Sequence, residues 1–337
     1  MKTNPRFLLS ITAIALACMA LISCSKKPDT ASPDGGSGRR KILIGFIGKS
    51  LTNDVFQAAQ SGAQDAAKEL GKKYNVDIEL EIRTPNDEDA TKQAEAIEAL
   101  TRRGAAGIAV SCSEANTVTP SIDKAVEKGV LVICFDSDAP NSKRFAYYGT
   151  DDRSCGARIM VELAKVMGEK GTVAILAGNQ SAPNLQTRVA GVKEALAKYP
   201  NMKLNEPGVF YHVETPEKAA EAVQTAQNAN SGIQGWAFIG GWPLFTADAL
   251  KWAPGTVKVV SCDALPAELN YVRDGHVQVL FAQDCYGWGA KSLEMLLDKI
   301  VNSKSPADVK VIDPLTRVSS ENVVEFGKNW DKWLGGK

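Results

Sequence analysis

The residues of this chain that could do chemistry sit at the ends of apolar runs. In "VLVICFDSDAP", residues 130–140, six apolar residues lead straight into Asp136, Ser137 and Asp138 before a proline ends the segment. The same pattern recurs elsewhere. "KILIGFIG" is followed by Lys49, Asn53 and Phe56, and "GTVAILAG" by Asn184 and Arg188. "GWAFIGG" closes on Gly241 and Trp242, "VKVVSC" on Asp263 and "VQVLFA" on Gln283. Carboxylates, amides, an arginine and large aromatics in one set suit a polyhydroxylated ligand. Each hydroxyl donates once and accepts twice, and planar Asp, Asn, Gln and Arg groups clasp adjacent hydroxyls in pairs. Aromatic faces cover the C–H faces of a ring, a part that falls to Phe56, Trp242 and Tyr211.

Catalysis and cofactors find no such support. The two histidines, His212 and His276, have neither triad nor metal-ligand spacing, and no cysteine pair forms CxxC. There is no G-x-S-x-G, no H-E-x-x-H, no P-loop and no G-x-G-x-x-G after the first apolar run. The chain reads as a binding protein rather than an enzyme, with no metal and no cofactor.

The elements that must position these residues are legible too. From Lys41 onward, about ten short apolar runs alternate with helical patterns, such as Val55, Ala58, Ala59, Gly62, Ala63 and Ala66 at i, i+3, i+4 spacing. Strands apolar on both faces and alternating with helices imply parallel sheets covered on each side. Ten are too many for one small sheet, so two doubly wound α/β lobes are predicted. In such sheets ligands bind outside the carboxyl ends of the strands, which is where the polar residues lie.

Bulk composition narrows the partners. The 337 residues are 44% hydrophobic, and Lys+Arg and Asp+Glu both total 39. That balance argues against nucleic acid. The N-terminus has two cations, Lys2 and Arg6, then an apolar stretch over residues 7–22 that is short for a membrane span. It has the form of a secretory signal, and "LISC" resembles a bacterial lipobox, which makes 1–23 a signal peptide and Cys24 the lipidated first mature residue. Residues 24–40, rich in Ser, Pro, Gly and charge, read as a disordered tether. The expected location is extracytoplasmic, at a bacterial membrane. Five cysteines remain in the globular part, and a Cys112–Cys134 disulfide stays open beside the plainer reading of buried thiols.

Taken singly, several residues admit plainer roles. Asp263 precedes a helix and could cap it; Arg188 and Lys49 read as solvated; Phe56 reads as core. Taken in order, they resemble the type I periplasmic sugar-binding proteins of the ribose/galactose type, the receptors of ABC importers. The resemblance rests on "SLTNDVFQAAQSGAQDAAKELG", "GVLVICFDSD", "NLQTRVAGVKEAL", "VKVVSCDALPAELNYVRDG" and "LFAQD", and it covers about residues 41–318. It implies two lobes, 41–150 with 284–312 and 151–283 with 313–337, joined by a hinge of three crossings. It further implies a monomer that takes a pentose or hexose on Asn53, Phe56, Asp136, Arg188, Asp263 and Gln283 and delivers it to a membrane permease. Ser137 stands where ribose binders carry an arginine, and Gly241 and Trp242 stand near an expected asparagine, so ribose itself does not carry over. Lys49 with "DSD" also resembles binders of the autoinducer-2 furanose. A sensory lipoprotein presenting such a ligand to a membrane receptor is the alternative.

Overall fold

The computed structural model describes residues 38–334. The expected signal peptide, Cys24 and nearly all of the expected tether lie outside the described residues. The first strand starts at Arg40, the last residue assigned above to the tether.

The first lobe is built from β1 (Arg40–Ile47), α1 (Asp54–Tyr74), β2 (Val76–Ile82), α2 (Ala90–Arg102), β3 (Gly107–Val110), α3 (Ala115–Glu127), β4 (Leu131–Phe135) and β5 (Ala146–Gly149). Each central strand is buried on both faces, as its unbroken apolar run requires. Phe46 and Phe135 stack at 5.0 Å inside the lobe, and Trp288 leans on Phe135 at 6.4 Å. The N-terminus of α1 is fixed by Asn53, whose Oδ1 accepts from the Val55 N–H at 3.1 Å. An asparagine in left-handed conformation, Asn75, ends the helix.

The chain then crosses to the second lobe: α4 (Asp152–Met167), β6 (Gly171–Ala177), α5 (Pro183–Leu196), β7 (Met202–Tyr211), α6 (Pro216–Ala229), β8 (Gly235–Phe238), a 3₁₀ turn (Trp242–Phe245), β9 (Lys258–Cys262), α7 (Pro266–Arg273) and β10 (Val279–Ala282). It returns to the first lobe as α8 (Cys285–Asn302) and β11 (Lys310–Ile312). It crosses once more to β12 (Thr316–Val318) and ends in α9 (Val323–Trp333).

The two sheets repeat one topology, β2-β1-β3-β4-β5-β11 and β7-β6-β8-β9-β10-β12. All described pairings are parallel except β10 with β12. The order reverses beside β1 and beside β6, the switch points where such sheets open a crevice. The chain changes sheet between β5 and α4, between β10 and α8, and between β11 and β12. The C-terminal helix touches both lobes: Trp330 Nε1 donates to the Ala264 carbonyl at 2.8 Å, and Trp333 stacks on Tyr286 of α8 at 6.4 Å.

Candidate functional site

The strand ends of both sheets open on one cleft of about 1170 Å³. Ten of the thirteen residues singled out in the sequence have a place in its wall, among them Asn53, Phe56 and Asp136 from the first lobe, Asn184, Arg188, Trp242 and Asp263 from the second, and Gln283 at a crossing. Lys49 and Tyr211 line it as well.

Asp136 follows β4 directly and turns the chain in left-handed conformation, φ 55°. A non-glycine residue is rarely found there, and Asp tolerates it better than most. The residue heads no helix and so caps none. Its Oδ2 accepts from Ser111 Oγ at 2.6 Å, and Tyr147 OH donates to its backbone carbonyl at 2.8 Å. Asp263 follows β9 in the same way, φ 73°. The N-cap of α7 is Leu265, not Asp263. Asp263 Oδ2 accepts from the Gly241 N–H at 3.1 Å, and its Oδ1 from Gln283 Nε2 at 2.7 Å.

Arg188 joins these groups into a network. α4 and α5 lie so close that a Cβ at Gly156 would come within 1.9 Å of the Arg188 carbonyl, and this contact sets where the arginine starts. Its Nε donates to Asp152 Oδ1 at 2.8 Å, its Nη1 to the Ile239 carbonyl at 3.0 Å and to Cys262 Sγ at 3.2 Å, and its Nη2 to Gln283 Oε1 at 2.9 Å. Gln283 Oε1 also accepts from Thr150 Oγ1 at 2.9 Å, which ties two of the crossings together. The arginine is 3% exposed, not solvated. Burial pushes the Asp152 carboxyl up to about 6, against the pull of the guanidinium beside it.

Lys49 is buried rather than solvated, 3.6 Å from Glu88. Burial disfavours its charge, but Glu88, Asp136 and Glu214 together hold its pKa above the usual lysine range. Phe56 is both core and wall: it lies 6.4 Å from Trp288 and lines the cleft. Trp242 packs edge-on against His212 at 5.3 Å.

Three sequence choices fall elsewhere. Ser137 is buried, and its carbonyl accepts from the Cys112 N–H at 3.0 Å. Asp138 is clamped by Arg144, whose Nη2 donates to Oδ2 at 2.5 Å and whose Nε bonds Oδ1, so a structural ion pair occupies it. Gly241 contributes its backbone to Asp263, and a Cβ there would meet Glu268 Oε1 at 2.0 Å. Cys112 and Cys134 form no disulfide; their thiols share a hydrogen bond at 3.8 Å.

The sequence reading missed Glu88, Glu214 and Trp288, all of which line the cleft. Glu214 lies on the loop between β7 and α6, where its Oε1 accepts from the Asn179 N–H at 2.8 Å. Burial raises its pKa while Lys49 opposes the rise. Its position past a strand end was the available signal.

Two lobes of repeated topology whose strand tips share one cleft define a hinged binding protein. The family model described as "Periplasmic binding protein domain" matches residues 44–304, and the chain belongs to that family. It is 26% identical over 284 residues to the D-allose-binding periplasmic protein of Escherichia coli (strain K12), across 79% of this chain and 89% of that one. It is 26% identical over 274 residues to the D-ribose/D-allose-binding protein of Pseudomonas aeruginosa, covering 78% and 83%. Among solved structures it resembles an ABC transporter solute-binding protein of Burkholderia graminis in complex with D-arabinose, at 25% identity and TM-score 0.77, covering 85% of this chain and 97% of that one. An arabinose-binding protein of Geobacillus stearothermophilus aligns at 27% identity and TM-score 0.70, covering 86% and 99%.

Proposed function

We propose that this protein is an extracytoplasmic receptor that captures a monosaccharide, a pentose or hexose, between its lobes and delivers it to an ABC permease. The observation that carries the reading is the convergence of Asp136 and Asp263, from equivalent strand tips of opposite lobes, on one cleft. Asp136 Oδ1 has no donor among the described residues, and neither has Asn184 Oδ1. Both are acceptors awaiting ligand hydroxyls. Phe56 and Trp242 supply faces for the ring. The cleft exceeds the roughly 300–1,000 Å³ of ordinary ligand pockets, room that closure of the lobes would remove. A sugar touching both walls binds the closed form better, and that difference drives closure. The relatives named for D-allose and D-ribose support the ligand class. A lipid on Cys24 would hold the monomer at the membrane.

The test is titration calorimetry of the mature protein against pentoses and hexoses, D-allose, D-ribose and D-arabinose among them. One or more should bind with micromolar affinity, about −8 kcal/mol. Heats indistinguishable from dilution for every sugar would remove the proposal.

A further inference from the structure

The charge of the cleft is lopsided. Asp54, Asp87, Glu88, Asp136, Glu214 and Asp263 line it, against only Lys49 and Arg188 among the described residues. Both cations already face carboxylates. Arg188 is paired with Asp152 and gives three of its other four N–H bonds to Ile239, Cys262 and Gln283. Lys49 is paired with Glu88 and also lies in the fields of Asp136 and Glu214. His212 adds no charge, because burial lowers its pKa. On the acceptor side, Asn184 is 8% exposed and its Oδ1 has no donor. Asp136 Oδ1 and Glu214 Oε2 have none among the described residues either. Such a lining offers lone pairs to hydroxyl hydrogens and opposes a carboxylate or phosphate on the ligand.

We infer that the cleft selects its sugar by charge, taking neutral monosaccharides and rejecting their acidic and phosphorylated counterparts, and that Glu214 with Glu88 enforces the selection. The inference rests on the monosaccharide reading and sharpens it. Glu88 holds Lys49 on the first lobe, and Glu214 stands on the opposite lobe. An anionic ligand that reached Lys49 would have to share it with Glu88 and would still face Glu214. Like charges brought together in a closed site cost several-fold to many-fold in affinity.

The experiment compares neutral and anionic sugars of one skeleton by calorimetry: D-glucose with D-glucuronate, D-galactose with D-galacturonate, D-ribose with ribose 5-phosphate, and D-allose with its 6-phosphate. At neutral pH the wild-type protein should favour the neutral member of the binding pair by roughly 100-fold or more. Glu214→Gln keeps the bond to the Asn179 N–H and removes the charge, and it should narrow that ratio by about 10-fold. Glu88→Gln frees Lys49 and should narrow it at least as much. An anion bound as tightly as its neutral partner overturns this inference and leaves the monosaccharide reading standing. A preference that neither variant narrows assigns the rejection to shape, and also overturns it. If no member of any pair binds, the monosaccharide reading itself falls, and this inference with it.

Discussion

The two lobes place an aspartate at the same point of the same topology, yet they hold it differently. β4 and β9 are equivalent strands in their sheets, and each ends in an aspartate in left-handed conformation. In the first lobe the carboxylate is held by one serine, Ser111, and its second oxygen is open to the cleft. In the second lobe both oxygens are already engaged, one by the Gly241 N–H and one by Gln283, and Gln283 is itself fixed by Arg188 and Thr150. One wall is a finished network that shapes the site. The other presents a carboxylate still free to choose a partner. Helix packing does not differ in this way. A Cβ at Gly289 of α8 would come within 1.8 Å of the Ala59 carbonyl of α1, as close as the α4–α5 approach at Gly156. The lobes therefore share a scaffold and differ in how far their polar tips are satisfied.

The sharpest way to break this comparison is to remove the centre of the finished network. Arg188→Ala strands Asp152, a carboxylate with only 14% of its side chain exposed, and leaves Gln283 Oε1 with one donor fewer. Breaking a buried ion pair by deleting one partner costs about 3–5 kcal/mol. Urea unfolding should show that loss even without sugar. A stability change under about 1 kcal/mol would mean that the network does not stiffen the second lobe.

Next come the two aspartates as a pair. Asp136→Asn keeps an acceptor for Ser111 but removes the charge from the oxygen open to the cleft. Hydrogen bonds to charged groups contribute about 1.5–3 kcal/mol, so affinity for the best sugar should fall roughly 10- to 100-fold. Thermal stability without ligand should hardly move. Asp263→Asn sets an amide donor against either the Gly241 N–H or the Gln283 amide, so here the melting temperature should fall together with affinity. Calorimetry and thermal melts on both variants decide it. Equal loss of stability in the two variants would erase the asymmetry.

Much of this architecture was legible in the sequence, because the long apolar runs carry the physics of a sheet buried on both faces. β4, with "VLVICF", could hardly be anything else. β11 and β12 were not legible: each has three residues, lies at a sheet edge and is partly exposed, so no apolar run marks it. The site followed the same rule. Residues directly after strong strands, Asp136 and Asp263 above all, were found. Glu214 stands three residues past the end of β7, but "VETPEKAA" also reads locally as a helix start, with Thr215 capping α6, and that reading masks the strand-end signal. Asp138 reads as a ligand in the sequence because spacing cannot reveal that Arg144, six residues on, folds back to bind it. Lys49 and Arg188 looked solvated because burial of a cation depends on partners distant in sequence, Glu88 for one and Asp152 for the other.

The smallest expected effect tests the weaker side of the comparison directly. Ser111 is fully buried at the end of β3, and its hydroxyl is the only described side-chain donor to the Asp136 carboxylate. In Ser111→Ala the carboxylate keeps its place on the backbone, since the left-handed turn and the Tyr147 bond to its carbonyl remain, but it is free to rotate. Losing one hydrogen bond to a charged group that water can partly replace costs about 1 kcal/mol. Sugar affinity should therefore fall about 5-fold, through faster dissociation, with little change in unfolding free energy. Stopped-flow release of bound sugar measures this. An unchanged rate would show that the backbone alone orients Asp136. A loss as large as that of Asp136→Asn would show that Ser111 is as indispensable to the first lobe as Gln283 and Gly241 are to the second.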